Sequence, residues 1–428
     1  MSGRRVVITG LGLVTPLGLG AADFWSGLVA GRSAVGLVNL TADSGEPRQL
    51  AAPVTSFNAR TYVADRKLLR IMSRTAQFGL AAAQMAVSDS GEAAVDPSRK
   101  GAFIGTGQGL CPGEFLFDAV RASRTDRGEV SATLLGSHGL SLIPPLSMLL
   151  AVPNGGLFAC SVLHSIHGPN TNFLSSGEAA LAAIGEAYWA IREGEADWAL
   201  AGGYDGGVNR YVHADFHRLG MLSGRTDDPA RAVRPFDRAR DGFALGEGAG
   251  MVVLEEHGAA AARGAPVWAE ILGFAASCDA AGPLTPRADG SALAAVMLGA
   301  LRDAGVEPAE VDYVNAYGSA TPAGDLTELR ALERAFGGQR RRPLVSGIKG
   351  AIGHLLAAAG AVEFGATVLA VKHQLAPPTL NLDAPDPECH FDCVPNQARA
   401  TPVKIALTVN RGIGGQNAAV VLRRAEGS

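Results

Sequence analysis

The stretch GPNTNFLSSGEAALAAIG, residues 168–185, reads as a strand, a sharp turn and a helix. A turn of that kind mounts a nucleophile at a helix N-terminus, where aligned peptide dipoles favour an anion. The tip of this turn is Gly177, which has no side chain. The mount is present and the nucleophile is missing.

The segments around it have the same α/β grammar. RRVVITGLGLVTPLG at the start reads as a buried β-branched strand that breaks at its glycines, and RIMSRTAQFGLAAAQMAVSDSG as a long Ala-rich helix. GAFIGTGQG is a strand entering a glycine loop, but no GxGxxG or GK[ST] follows, so the loop signals tight packing rather than phosphate binding. LAAIGEAYWAIREGEAD is a helix, followed by the strands WALAGGYDGG and MVVLEE. HGAAAARGA, near 256–264, marks a join, after which the pattern recurs. It runs strand VWAEILGFAAS, helix GSALAAVMLGALRDAG, strand VDYVNAYGSA and helix DLTELRALERAFG, then strand RPLVSGIKG, helix LLAAAGAVEFGATVLAVKHQ and strand KIALTVNRG. The strands are short and apolar, so neither half could cover its sheet alone.

Composition agrees with a large buried α/β core. Hydrophobic residues make up 47% of the 428, charged ones only 18%, and there are 55 glycines. The net charge of −4 argues against nucleic acid, and the one basic cluster, Arg340–Arg342, is too short to be a stripe. No apolar run suggests a membrane span and the N-terminus does not read as a signal peptide. The five cysteines form no CxxC pair, which fits a reducing cytoplasmic setting, with most of them small core residues and no metal site.

Seven segments in chain order carry a resemblance. They are VVITGLGLVTPLG (6–18), GPN…AAIGEA (168–187), RPFDRARDGFALGEGAGMVVLEE (234–256), VNAYGSATPAGDLTE (314–328), IKGAIGHLLAAAGAVE (348–363), PPTLNLDAPDPEC and NRGIGGQNA. Together they resemble the β-ketoacyl synthases of the thiolase superfamily over nearly the whole chain. The resemblance implies a thiolase-like α/β fold of two pseudo-repeated halves, 1–258 and 259–428. These form one compact unit of five α-β-α-β-α layers that dimerises through adjacent strands.

That family makes a carbon–carbon bond by decarboxylative Claisen condensation, with a cysteine nucleophile and two histidines that stabilise the enolate. Carried over, the cysteine falls on Gly177, the first histidine on Tyr317 and the second on His354. Tyr317 either donates a hydrogen bond where the histidine did or fills its pocket. Lys349 and Glu328 match a buried charged pair, and Ser319 and Thr321 match positions that hold a phosphopantetheine arm. In the gating loop Arg411 and Ile413 replace two phenylalanines; Arg411 could meet an acidic carrier or plug the unused entrance.

A chain with those replacements does not condense by itself. The resemblance is to a chain-length factor (ketosynthase-beta), which pairs with an active ketosynthase and shapes the acyl tunnel in type II polyketide or related biosynthesis. Glycine at 177 departs from the glutamine usual in those subunits. GEFLFDAVRASRTDRGEVSA (113–132) resembles their tunnel-lining helix and puts the length-setting positions near Phe115, Asp118 and Ala122, with Phe115 and Phe117 as interface packing otherwise. No cofactor is implied; the ligand is a phosphopantetheine-linked acyl chain on an acyl carrier protein.

Two other readings stay open. In one, the pocket is repurposed for acyl transfer or hydrolysis, with Ser176 as nucleophile and His354 as base. Against it, Ser175 and Ser176 read as turn residues capping the following helix, and Glu178 complements the helix dipole. In the other, the chain is a scaffold that recruits carrier proteins. His164 and His167 in CSVLHSIHG flank a predicted strand with no carboxylate or cysteine spacing for metal, so core or interface roles are expected.

Overall fold

The computed structural model describes residues 4–40, 47–107 and 113–425, with the side chains of 113–115 outside the described set. Ten strands carry the architecture: β1 (Val6–Thr15), β2 (Lys100–Thr106), β3 (Asn170–Leu174), β4 (Trp198–Gly206), β5 (Leu245–Glu256), β6 (Ala269–Cys278), β7 (Tyr313–Asn315), β8 (Leu344–Ser346), β9 (Ile405–Arg411) and β10 (Gln416–Arg424). They hydrogen-bond in the order β8-β7-β9-β10-β6-β1-β5-β4-β2-β3. Number the strands of each half from one to five along the chain, and both halves run 3-2-4-5-1. The senses match too. β1 with β5 and β5 with β4 are antiparallel, while β4 with β2 and β2 with β3 are parallel. β6 with β10, β10 with β9, β9 with β7 and β7 with β8 repeat that sequence of senses. The seam between halves is short, Val6–Ile8 against Ala269–Ile271.

Helices fill the layers. α1 (Arg74–Ser90) packs outside β1 and β5. α2 (Ala179–Arg192) lies between the sheets, touching β2 and β4 on one side and β6 and β10 on the other. α3 (Ser291–Ala304) covers β6 and β10, and α4 (Pro322–Phe336) packs on α3. α5 (Ala359–His373) joins α2 in the middle layer, and every residue from Ala359 to Val371 is buried. The five-layer thiolase-like arrangement is therefore observed.

Three expectations need correction. β1 does not break at its glycines: Val6–Thr15 is one fully buried strand. Gly10 and Gly12 instead let α1 approach, because a Cβ at either would run into the Ala86 or Ala82 carbonyl. The apolar stretch Leu356–His373 is long enough for a membrane span, contrary to the sequence reading, and 89% of it is buried inside the fold. KIALTVNRG is not the last strand: it is half of a hairpin whose return arm is β10.

Candidate functional site

The turn after β3, the loop after β7, the segment before α5 and the loop after β9 converge on one cavity of ≈ 290 Å³. Ser176, Tyr317, Ser319, Thr321, His354 and Ile413 all contribute to its wall.

Gly177 is buried between β3 and α2. A Cβ built there falls 2.2 Å from the Arg411 carbonyl oxygen and 3.2 Å from Tyr317 Cε2. The site is therefore closed to any side chain while Arg411 holds its place. Arg411 is firmly held, with its guanidinium 2.7 Å from Asp279 and 3.2 Å from the Asn417 amide oxygen. Asn417 in turn donates to Asp279 at 2.9 Å. The Arg411 side chain is thus buried on Asp279 and Asn417, and the residue forms part of the cavity wall.

Tyr317 and His354 meet directly, Oη to Nε2 at 2.7 Å. His354 Nδ1 accepts the Leu356 N–H at 3.0 Å, so the ring proton sits on Nε2 and is donated to the phenol oxygen. Burial, with the Lys349 charge adding to it, holds the His354 pKa well below its usual value. The imidazole is neutral and both its nitrogens are engaged. The phenol group is pushed upward by burial and stays protonated.

Lys349 does not pair with Glu328 as expected; its ion pair is with Glu363 on α5, both side chains buried. Lys349 also donates to the Tyr317 carbonyl and lies 4.0 Å from that ring's centroid. Glu328 accepts the backbone N–H groups of Tyr317 and Gly318, each at 2.8 Å. Burial moves its pKa up to about 7. Tyr317 is thus held at its amide, carbonyl, ring face and hydroxyl. The sequence signal for Glu363 was a lone acid in an otherwise apolar helix. Asp279 carried no comparable signal.

The serines do not cap α2 as expected. Ser175 donates to the Glu178 carboxylate, and Glu178 itself occupies the N-cap position without a side-chain cap bond. Burial raises the Glu178 pKa and leaves Oε2 without a hydrogen-bond partner, which weakens the account of Glu178 as a dipole-complementing charge. Ser176 borders the cavity, and its carbonyl accepts the Ala179 N–H at 3.0 Å. The Ser319 and Thr321 hydroxyls bond each other at 2.8 Å, and Thr321 caps α4 through the Gly324 N–H.

The expected tunnel positions do not form one site with Ile413. Asp118 is exposed and Ala122 half-buried on the helix Gly113–Ala122, and neither lines the cavity. The Phe115 side chain lies outside the described residues. Phe117 stacks on Tyr211 with centroids 5.2 Å apart. His164 ends the helix Gly155–His164 with a buried, unpartnered Nε2, and His167 is exposed in the loop before β3.

The family model for the β-ketoacyl synthase N-terminal domain matches residues 3–260, and that for the C-terminal domain matches 268–383. The chain belongs to the β-ketoacyl synthase family. It is 36% identical over 425 residues to a 3-oxoacyl-[acyl-carrier-protein] synthase 2 of Synechocystis sp., covering 98% of each chain. The ishigamide ketosynthase/chain length factor superposes with a TM-score of 0.87 at 32% identity, covering 99% of this chain and 100% of that one. A type II polyketide ketosynthase, solved with its acyl-carrier protein and bound to the hexaketide, superposes with a TM-score of 0.84 at 30% identity over 99% of this chain and 100% of that one. The chain is thus a ketosynthase-fold protein of the fatty-acid and type II polyketide kind.

Proposed function

We propose that this chain is a non-condensing ketosynthase subunit of the chain-length-factor kind, which pairs with an active ketosynthase and walls part of its acyl tunnel. The observation that carries the reading is Gly177: no nucleophilic atom stands there, and the Arg411 carbonyl fills the space a side chain needs. The tyrosine that the family resemblance places at the first histidine position is locked onto His354.

A partner surface supports the pairing. β3 is the edge of the sheet, bonded only to β2. All the exposed large apolar side chains among the described residues, except Leu219 and Leu284, lie between Leu116 and Leu174. Met148 is 80% exposed and Val162 58%, an apolar concentration that a second subunit of the same fold would cover. In this reading Phe115, Asp118 and Ala122 work across the interface, while Ser319 and Thr321 face an acyl carrier arm.

The competing reading, acyl transfer or hydrolysis by the chain alone, draws on Ser176 and His354 sharing one cavity. It needs a free imidazole nitrogen, and neither is free.

Native mass spectrometry of the chain from its own host tests the proposal. A complex with one copy of a second ketosynthase-sized chain is expected, with elongation only when that partner is present. Ala122→Phe in the complex should then alter product length. A homodimer that turns over acyl-carrier substrates unaided, with activity abolished in Ser176→Ala, would overturn the proposal.

A further inference from the structure

The loop between α5 and β9 contains the sequence Glu388-Cys389-His390-Phe391-Asp392-Cys393, and its two sulfurs lie 3.3 Å apart. Among the described residues no other cysteines touch: Cys160 is buried in the N-terminal half and Cys278 is exposed at the end of β6. Cys389 is half-buried and within reach of small solutes, whereas Cys393 is buried behind it. Disulfide formation needs the sulfurs to close from contact to about 2.0 Å, a small movement for a loop outside any helix or strand.

We propose that Cys389 and Cys393 form a reversible dithiol–disulfide site that reduces a hydroperoxide. The Cys389 thiolate attacks one peroxide oxygen and the O–O bond breaks. The far oxygen leaves with the bonding pair and takes up a proton, giving water or an alcohol and a sulfenic acid on Cys389. The Cys393 sulfur then attacks Cys389 Sγ as its own proton is lost. The S–O bond breaks, the hydroxyl leaves as water, and the S–S bond forms. The two thiols supply the two electrons that the peroxide gains.

The order of roles follows from the geometry. Cys389 is the accessible sulfur, and the Cys393 S–H beside it lowers its pKa, while the same contact and burial raise that of Cys393. Cys389 is therefore the attacking thiolate and Cys393 the resolving thiol. Arg240 links the loop to the cavity wall. The Cys389 N–H donates to the Asp386 carbonyl at 2.8 Å, and Arg240 bridges Asp386 at 2.6 Å to the Pro322 carbonyl at 2.9 Å beside Thr321.

The test is hydrogen peroxide titration of the full chain in a Cys111→Ser, Cys278→Ser background, read by intact mass and peptide mapping. The expected product has lost two hydrogens, carries a bond joining Cys389 to Cys393, and returns to the dithiol with dithiothreitol. In Cys393→Ser, dimedone should trap a sulfenic acid on Cys389 that the resolving thiol removes in its presence. Conversion of Cys389 to sulfinic acid with Cys393 still free would overturn the proposal. So would two thiols that survive peroxide unchanged; neither result needs a variant at 389 or 393 to fold.

Discussion

Replacing Gly177 with alanine adds one methyl group at a crowded point beside the cavity. Glycine-to-alanine changes at ordinary backbone angles stabilise a protein by about 0.4–1 kcal/mol, because the unfolded chain loses freedom. Gly177 is not among the glycines with a positive φ, so that gain is available here. Opposing it, the new Cβ would lie 2.2 Å from the Arg411 carbonyl oxygen, which must retreat by about 1 Å to reach ordinary contact. Retreat is resisted on both sides of that carbonyl. Arg411 is the last paired residue of β9, opposite Asn417, and its guanidinium is fixed on buried Asp279. Overpacking of this kind costs about 1–3 kcal/mol. The net expectation is destabilisation of about 1–2 kcal/mol, or a Tm lower by about 1–2 °C at fixed scan rate for a chain of this length. Differential scanning calorimetry of wild type and Gly177→Ala side by side provides the measurement. A variant as stable as wild type, or more so, would show that the Arg411 carbonyl yields freely and would refute the argument that this position is closed. Gly177→Cys carries the same Cβ plus a sulfur. It should be at least as destabilised and should give no condensation with acyl- and malonyl-carrier substrates, because Tyr317 keeps the His354 Nε2 proton engaged.

Nitrogen NMR should find His354 neutral with its proton on Nε2 well below pH 6.5, and a doubly protonated ring at pH 6 would contradict the site as described. The folded pKa of His354 is depressed, so its contribution to stability is present above the unfolded value and lost as pH falls below about 6.5 through the folded one. Glu328 works in the opposite sense: with its pKa raised to about 7, its contribution is full at low pH and lost as pH rises from about 4.5 to about 7. Glu328→Gln should therefore remove about one proton's worth of pH slope from that window, measured by urea unfolding at a series of pH values. Lys349→Met leaves Glu363 buried without its cation and should cost about 3–5 kcal/mol, with partial recovery in the Lys349→Met, Glu363→Gln double variant. Equal stability of the single and double variants would mean that the pair is not coupled. Arg411→Leu should lower stability to a similar degree by stranding Asp279, and Asp279→Leu in addition should restore much of it, as judged by calorimetry.

The fold was legible because its signals are local. β-branched runs, alanine-rich helices and the order of seven segments each belong to one stretch of chain, so the resemblance and the two pseudo-repeated halves could be read without coordinates. Gly177, Tyr317 and His354 could be placed for the same reason, since each sits at a fixed offset within a motif. What the sequence could not settle was which groups face each other across the fold. Glu328 and Glu363 are both acids near Lys349 in the motif order, and only the packing of α5 against the loop after β7 gives the lysine to Glu363. Asp279 lies more than a hundred residues from Arg411, yet the ends of β6 and β9, on either side of β10, put them in one buried pair. Cys389 and Cys393 are separated by no CxxC spacing, and it is the bend of the loop that brings their sulfurs into contact. A local pattern fixes the path of the backbone through each element. The pairing of charges and thiols depends on distances between elements, which only the assembled core sets.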